Sequence, residues 1–377
     1  MKRRQLLAAS QALAWPWALS AAEAQIQTPA TPPVVSANDV LRFPRDFGAH
    51  ADHRTDWWYF TGQLNSGQGA QVRTWGFQVT FFRSRVDTAQ GNLSRFAAHQ
   101  LIMAHAALSD VQSGVLRHEQ RLARTGFSLV EISSEDTQVT LRDWTLQRTG
   151  PIDQSRYETH VAAPDFSLDL TLTQTQPLLL QGQAGYSRKG PLPEQASHYY
   201  SQPQLHTEGT LRMRVPGQSA WQILPVKGKA WMDQEWSETY LAPEAVGWDW
   251  IGMNLDNGAA LCAFRLRRAD GSTLWAGGTY RAPGQPSRAF DATEVQFKPG
   301  RLWSSPATAA RYPVEWAVAT PVGRFVVQAV MDAQELSGSQ SMGNIYWEGL
   351  SRLLDGQGRH LGQGYLEMTG YAGKVRM

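Results

Sequence analysis

Across 377 residues there is a single cysteine, Cys262, which excludes an intramolecular disulfide and a cysteine-based zinc site. It sits in Leu261-Cys262-Ala263-Phe264, where a small buried apolar residue is expected. Charge of one sign is also missing. The formal net charge is +2, with Lys and Arg scattered along the chain, so no nucleic-acid partner is expected. Beyond the first two dozen residues no run is long and apolar enough to cross a bilayer as a helix. There is no Gly-x-Ser-x-Gly elbow, no His-Glu-x-x-His, no His-x-His and no Gly-rich strand-to-helix loop. Serine hydrolysis, metal chemistry and nucleotide binding are therefore unsupported, and neither metal nor cofactor is expected.

Tryptophan, by contrast, is abundant, with 15 in the chain. One Trp-led phrase occurs twice. Trp57-Trp58-Tyr59-Phe60-Thr61-Gly62-Gln63-Leu64-Asn65-Ser66-Gly67 aligns without a gap on Trp248-Asp249-Trp250-Ile251-Gly252-Met253-Asn254-Leu255-Asp256-Asn257-Gly258. Each copy reads as a strand entering a tight hairpin, because Asx and Gly accept the positive φ of such turns. A second match sets Trp144, Tyr157 and Phe166 against Trp303, Tyr312 and Phe325, and a third sets Tyr199-Tyr200-Ser201 against Tyr346-Trp347-Glu348. Three matches in the same order point to an internal duplication.

Period-two alternation dominates over helical periodicity. It marks strands at 76–83, 139–144 and 166–172, and 97–108 is read as a strand because of its Thr- and Val-rich surroundings. The expected fold is all-β, an antiparallel sandwich or barrel in each half. The aromatic residues either fill the two interiors or line a cavity for a small hydrophobic molecule.

Lys2-Arg3-Arg4, a modestly apolar stretch and Ala22-Glu23-Ala24 fit a cleavable secretory signal at 1–24. Arg3-Arg4 suits either a twin-arginine signal or an ordinary basic start. An extended linker at 25–40, a first domain at 41–225 and a second at 226–377 complete the expected division. The expected location is outside the cytoplasm, in a periplasm, with membrane or transporter proximity left open.

The strongest chemical signal is Lys229-Ala230-Trp231-Met232-Asp233-Gln234-Glu235-Trp236-Ser237. An extended chain sends Trp231, Asp233, Glu235 and Ser237 to one face and Met232, Gln234 and Trp236 to the other. Acids set beside large rings are the means by which a pocket raises a carboxyl pKa; the competing reading is a structural strand whose acids pair with arginine. Asp56, leading into the first Trp phrase, is read as the partner of a basic residue such as Arg54. His99, His105 and His198 are read first as satisfied core histidines.

Asp56 to Gly62, Gly76 to Arg83, Lys189-Gly190-Pro191, Ala196 to Ser201, Trp231 to Ser237, Gly247 to Trp250 and Tyr346 to Gly349 together resemble the carotenoid 1,2-hydratase and AttH-like group, known as predicted secreted hydrolases. The resemblance spans nearly the whole chain after the signal and implies two tandem lipocalin-like β domains. It implies a hydratase-like enzyme in which a carboxylic acid protonates a hydrophobic alkene and water captures the cation, sheltered by aromatic faces. The candidate catalytic residues are Asp233, Glu235 and Asp249. The candidate ligand-binding residues are Trp57, Tyr59, Trp231, Trp236, Trp250, Tyr199 and His105. The group usually reads Asp-His-Glu-Trp where this chain has Gln234, and glutamine carries no titratable proton. That substitution keeps a second expectation open, a non-catalytic carrier of a hydrophobic ligand serving an export system.

Overall fold

The computed structural model describes residues 33–375, apart from 215, 216, 218, 219, 240 and 342. The expected signal and the first part of the linker lie outside the described residues. Among the described residues no helix is long and apolar enough to cross a membrane.

Among the described residues strands follow one another, and the helical segments are three single-turn 3-10 turns. In chain order they are β1 (Thr55–Ser66), β2 (Arg73–Arg85), β3 (Gln100–Asp110), β4 (Val115–Arg124), β5 (Val130–Ile132), β6 (Gln138–Leu141), β7 (Trp144–Thr149), β8 (Arg156–Ala162), β9 (Phe166–Thr173), β10 (Leu179–Leu180), β11 (Tyr186–Arg188), β12 (Ala196–Arg214) and β13 (Trp221–Ser237). These form the first antiparallel sheet, in the order β4-β3-β2-β1-β13-β12-β9-β8-β7-β6-β5. Its two ends approach each other where β3 and β4 meet β6, so the sheet curls into a near-barrel.

The second half continues with β14 (Gly247–Leu255), β15 (Ala260–Arg267), β16 (Thr273–Arg281), β17 (Arg288–Phe290), β18 (Gln296–Pro299), β19 (Leu302–Ser304), β20 (Arg311–Pro313), β21 (Glu315–Thr320), β22 (Gly323–Ala329), β23 (Glu335–Ser337), β24 (Ile345–Asp355) and β25 (His360–Thr369). Its main sheet runs β17-β16-β15-β14-β25-β24-β22-β21-β18. The order repeats that of the first sheet, with β14 in the place of β1, β25 in that of β13 and β24 in that of β12. The chain is thus two tandem lipocalin-like antiparallel units related by duplication.

Topology corrects four details. The expected boundary at 225/226 falls inside β13, which pairs along its length with β1 and β12 and completes the first sheet. The strand expected at 139–144 is broken after Leu141, because Leu141 and Trp144 pair across a two-residue turn with Arg142 at φ 58°. In the second repeat match, Trp303 and Tyr312 face each other in a separate two-stranded sheet; the neighbour chain that matches β8 is β21. The hairpin after the second Trp phrase is tight, with Gly258 at φ 84°, whereas the first phrase ends in a six-residue loop, 67–72.

Both barrel interiors are filled. Trp58, Trp75, Trp144 and Trp236 lie in the first core, and Trp316 and Trp347 in the second. A third apolar cluster, including Tyr59, Tyr199, Trp231, Trp250, Cys262, Phe264 and Tyr365, forms where the outer faces of the two sheets meet. Burial there drives the Cys262 thiol pKa far up, in keeping with its expected role as a small core residue.

Candidate functional site

The alternation of the repeated phrase builds a cavity between the barrels. On β1, Trp58 and Phe60 turn into the first core while Trp57 and Tyr59 turn outward; on β14, Ile251 and Met253 turn inward while Trp248 and Trp250 turn outward. The outward rings of the two copies line one cavity of about 110 Å³. Register then supplies the acids. β13 places Asp233 opposite Tyr59 and Glu235 opposite Trp57, and β25 places Glu367 opposite Trp250.

Asp233 is only 4% exposed and is held by three donors. Tyr199 donates to Oδ2 at 2.8 Å, Ser201 to Oδ1 at 2.5 Å and the Trp231 indole to Oδ1 at 2.6 Å. The Trp250 indole donates in turn to the Tyr199 hydroxyl at 3.0 Å. Burial raises the Asp233 pKa, the three donors oppose the rise and the charge of Glu235 adds to it, leaving a value of about 7. This carboxyl therefore exchanges its proton near neutrality. Glu235 accepts a hydrogen bond from Ser197 and pairs with Lys189 at 2.8 Å. The Lys189 ammonium also lies over the rings of Phe264 and Tyr199, at 4.2 and 4.7 Å.

The wall from the second barrel carries two further acids. Glu348 on β24 and Glu367 on β25 are direct cross-strand partners, an arrangement that penalises two negative charges. Burial comes first and the charge of Glu367 second in driving the Glu348 pKa well up, with the Tyr59 hydroxyl opposing. Burial, opposed by Trp248 and reinforced by Asp233 and Glu235, raises Glu367 to about 8. Among the described residues no group of acids, histidines and cysteine could hold a metal ion.

Of the residues expected from the sequence, Asp233, Glu235, Trp57, Tyr59, Tyr199 and Trp250 line this cavity. Trp231 stands behind Asp233 as its indole donor. Asp249 does not take part, because the pleat turns it into the second barrel, where Arg265 and Arg267 reach Oδ2 at 2.7 and 3.0 Å and Tyr371 reaches Oδ1 at 2.9 Å. Asp56 holds the comparable place in the first barrel, but its partner is Arg83 at 2.5 Å, with His50 beside it, and not Arg54. Trp236 also faces the core of its own barrel and stacks on His50, with centroids 3.7 Å apart. Gln234 shares that inward face, accepting from Tyr200 and donating to the Gly48 carbonyl at 2.9 Å. The departure at 234 from the usual histidine therefore lies away from the cavity. His105 sits one bond behind the wall, 2.7 Å from the Tyr346 hydroxyl and 2.6 Å from that of Ser341; burial, with a contribution from His118, lowers its pKa to about 4.

Sequence reading missed Lys189, Glu348 and Glu367 as cavity residues. A signal existed for both acids. Glu348 already ended the third repeat match, and Tyr365-Leu366-Glu367 carries the aromatic-apolar-acid order of Trp231-Met232-Asp233.

A family model described as AttH-like matches residues 34–371. No curated protein matches. Among solved structures, one described as an AttH from Nitrosomonas europaea is 44% identical, with 90% of this chain and 99% of that chain covered and a TM-score of 0.80. Kievitone hydratase from Nectria haematococca is 14% identical, covering 88% and 93% with a TM-score of 0.65. CghA, solved with Sch210972, is 14% identical, covering 91% and 96% with a TM-score of 0.54. The last two likenesses are likenesses of fold.

Proposed function

The chain belongs to the AttH-like family, and from that premise we propose that it is an exported hydratase-like enzyme acting on a hydrophobic, isoprenoid-type alkene. The observation that carries this reading is Asp233: a carboxyl buried among aromatic rings, with a pKa of about 7. Such a group retains a proton to give at neutral pH, which an ordinary aspartate does not.

In this reading Asp233 transfers its proton to one alkene carbon, so a C–H bond forms as the π bond breaks and the other carbon becomes a tertiary cation. The faces of Trp57, Tyr59 and Trp250 stabilise that charge. Water adds to the cation through oxygen, and Glu235, two residues along on the same face, takes the proton the water loses. Return of that proton to Asp233 closes the cycle, with water and alkene consumed and an alcohol formed. Tyr199 and Ser201 stabilise the carboxylate while its proton is absent.

Incubation with acyclic isoprenoid or carotenoid alkenes in ¹⁸O-labelled water tests the proposal. Label is expected in the product alcohol, and Asp233→Asn is expected to remove about 10²–10⁴-fold of the rate. Absence of label, or undiminished turnover in Asp233→Asn, overturns it. Native mass spectrometry showing a bound lipid released unmodified, with no turnover of any alkene, favours the carrier instead. Fractionation of the producing cells checks the export, whose ground is the basic and apolar start of the chain.

A further inference from the structure

Three residues that line the cavity leave hydrogen-bonding capacity unmet among the described residues. They are Gln78, whose side-chain carbonyl accepts from no donor, and the facing pair Tyr59 and Glu348, whose hydroxyl and carboxyl interact with each other and accept from no other donor. All three residues are more than nine-tenths buried. Buried groups of this kind are nearly always satisfied in folded proteins, and the capacity left over on the Gln78 carbonyl, the Glu348 carboxylate and the Tyr59 oxygen is for accepting hydrogen bonds. A group that fits among them is a donor.

The first barrel shows what such a donor looks like. Lys189, on the segment that follows β11, brings an ammonium to Glu235 and seats it on the rings of Phe264 and Tyr199. The matching segment of the second barrel, 338–344 after β23, reads Gly-Ser-Gln-Ser-Met-Gly-Asn and holds no Lys or Arg. The acids and rings are thus present on both walls, and among the described residues Lys189 brings its cation to the first.

We infer that the Glu348 side of the cavity is a receptor for a protonated primary amine on a hydrophobic body, its three N–H groups reaching Glu348, Tyr59 and Gln78. The rings of Trp57, Trp248, Trp250 and Tyr346 flank the charge and its apolar stem. A primary ammonium suits the site better than a quaternary one, since only the former supplies the three donors. The inference concerns binding at this cavity and does not rest on hydration.

Glu348 is faced by Glu367, Tyr346 and Tyr365 on its own wall, by Tyr59, Asp233, Glu235 and Lys189 across the cavity, and by His105 behind Tyr346. Because burial and the neighbouring acids favour protonated carboxyls there, amine binding should expel a proton and strengthen as pH rises from 7 toward 9.

Titration calorimetry of the whole protein with octylamine, octan-1-ol and octanoate tests this. At pH 8.5 octylamine is expected to bind at least about tenfold more tightly than octan-1-ol, the gain of charge-assisted hydrogen bonds, and octanoate most weakly. Buffers of different ionisation enthalpy should report one proton released per amine. Glu348→Gln should bring octylamine and octan-1-ol to parity, and Tyr59→Phe should narrow the gap in part. Equal binding of octylamine and octan-1-ol by the wild-type protein overturns the inference, as does an undiminished preference in Glu348→Gln. The wild-type comparison decides on its own if that variant does not fold. Amine binding without alkene hydration refutes the hydratase reading alone, and hydration without amine preference refutes this one alone.

Discussion

Asp233 and Glu367 hold the same place in the two barrels, and the residues opposite them differ. Asp233 lies opposite Tyr59 and Ser201, while Glu367 lies opposite Trp250 and Glu348. Where the cross-strand neighbour is a hydroxyl, it donates to the carboxyl, and burial is partly offset to give a pKa of about 7. Where the neighbour is a second carboxyl, it brings a like charge in place of a donor, so burial first and that charge second drive Glu348 well above its ordinary value against the Tyr59 hydroxyl. The duplication kept one acid position, that of Asp233 and Glu367, and the residue opposite on the next strand, Ser201 or Glu348, sets how each acid is held.

The sharpest way to break the comparison is to neutralise each acid in turn. Asp233→Asn should lower turnover by about 10²–10⁴-fold, and Glu367→Gln by less, as read from steady-state kinetics of labelled-water incorporation. Similar losses in both variants would mean the two walls act alike.

The inward acids provide a control on the opposite faces of the same sheets. Arg83→Ala strands Asp56, whose carboxyl is held at about 2 against the cost of burial by Arg83 and His50; a loss of about 3–5 kcal/mol in chemical denaturation is expected. Asp249→Ala strands Arg265 and Arg267 and should destabilise the second barrel to a similar degree, with turnover per folded molecule retained.

The pH dependence of stability separates the walls further. Glu367 has a folded pKa of about 8 against an ordinary 4.5, so between those values the native state binds more protons than the unfolded state and stability falls as pH rises. The contribution is complete below pH 4.5 and lost by about pH 8. Glu367→Gln removes this slope, so its stability relative to wild type should climb across that window and level off above it, as followed by urea denaturation at several pH values. The smallest effect is expected at Trp236, where replacement by Phe should cost about 1–3 kcal/mol through lost stacking on His50 and leave ligand affinity unchanged.

Much of this arrangement is legible in the sequence, for physical reasons that also mark where legibility stops. Period two separates Trp231, Asp233 and Glu235 from Gln234 and Trp236 without any structure. It cannot say which face meets the second barrel, because both faces of β13 are buried from Ala230 to Ser237 and composition does not distinguish them. For the same reason Asp249 resembled an active-site acid by its nearness to Asp233 along the chain, although its pleat position turns it into the opposite core. Glu367 carried only a weak signal, the aromatic-apolar-acid order it shares with Asp233. Its meaning depends on register with Glu348, 19 positions earlier, and register is a property of pairing between strands. The repeated Trp phrase was the more informative clue, since its first and third aromatic positions line the cavity in both copies.

Among the described residues β25 is the last strand in chain order, and it carries Glu367. During synthesis the first sheet can close once β13 emerges, well before its partner exists. For that interval Trp57, Tyr59 and Trp231 form an aromatic surface with nothing laid over it. A ribosome stalled beyond β13 would therefore present a sticky half-molecule, and the chaperone requirement of this protein should peak at that length and fall once β25 is delivered.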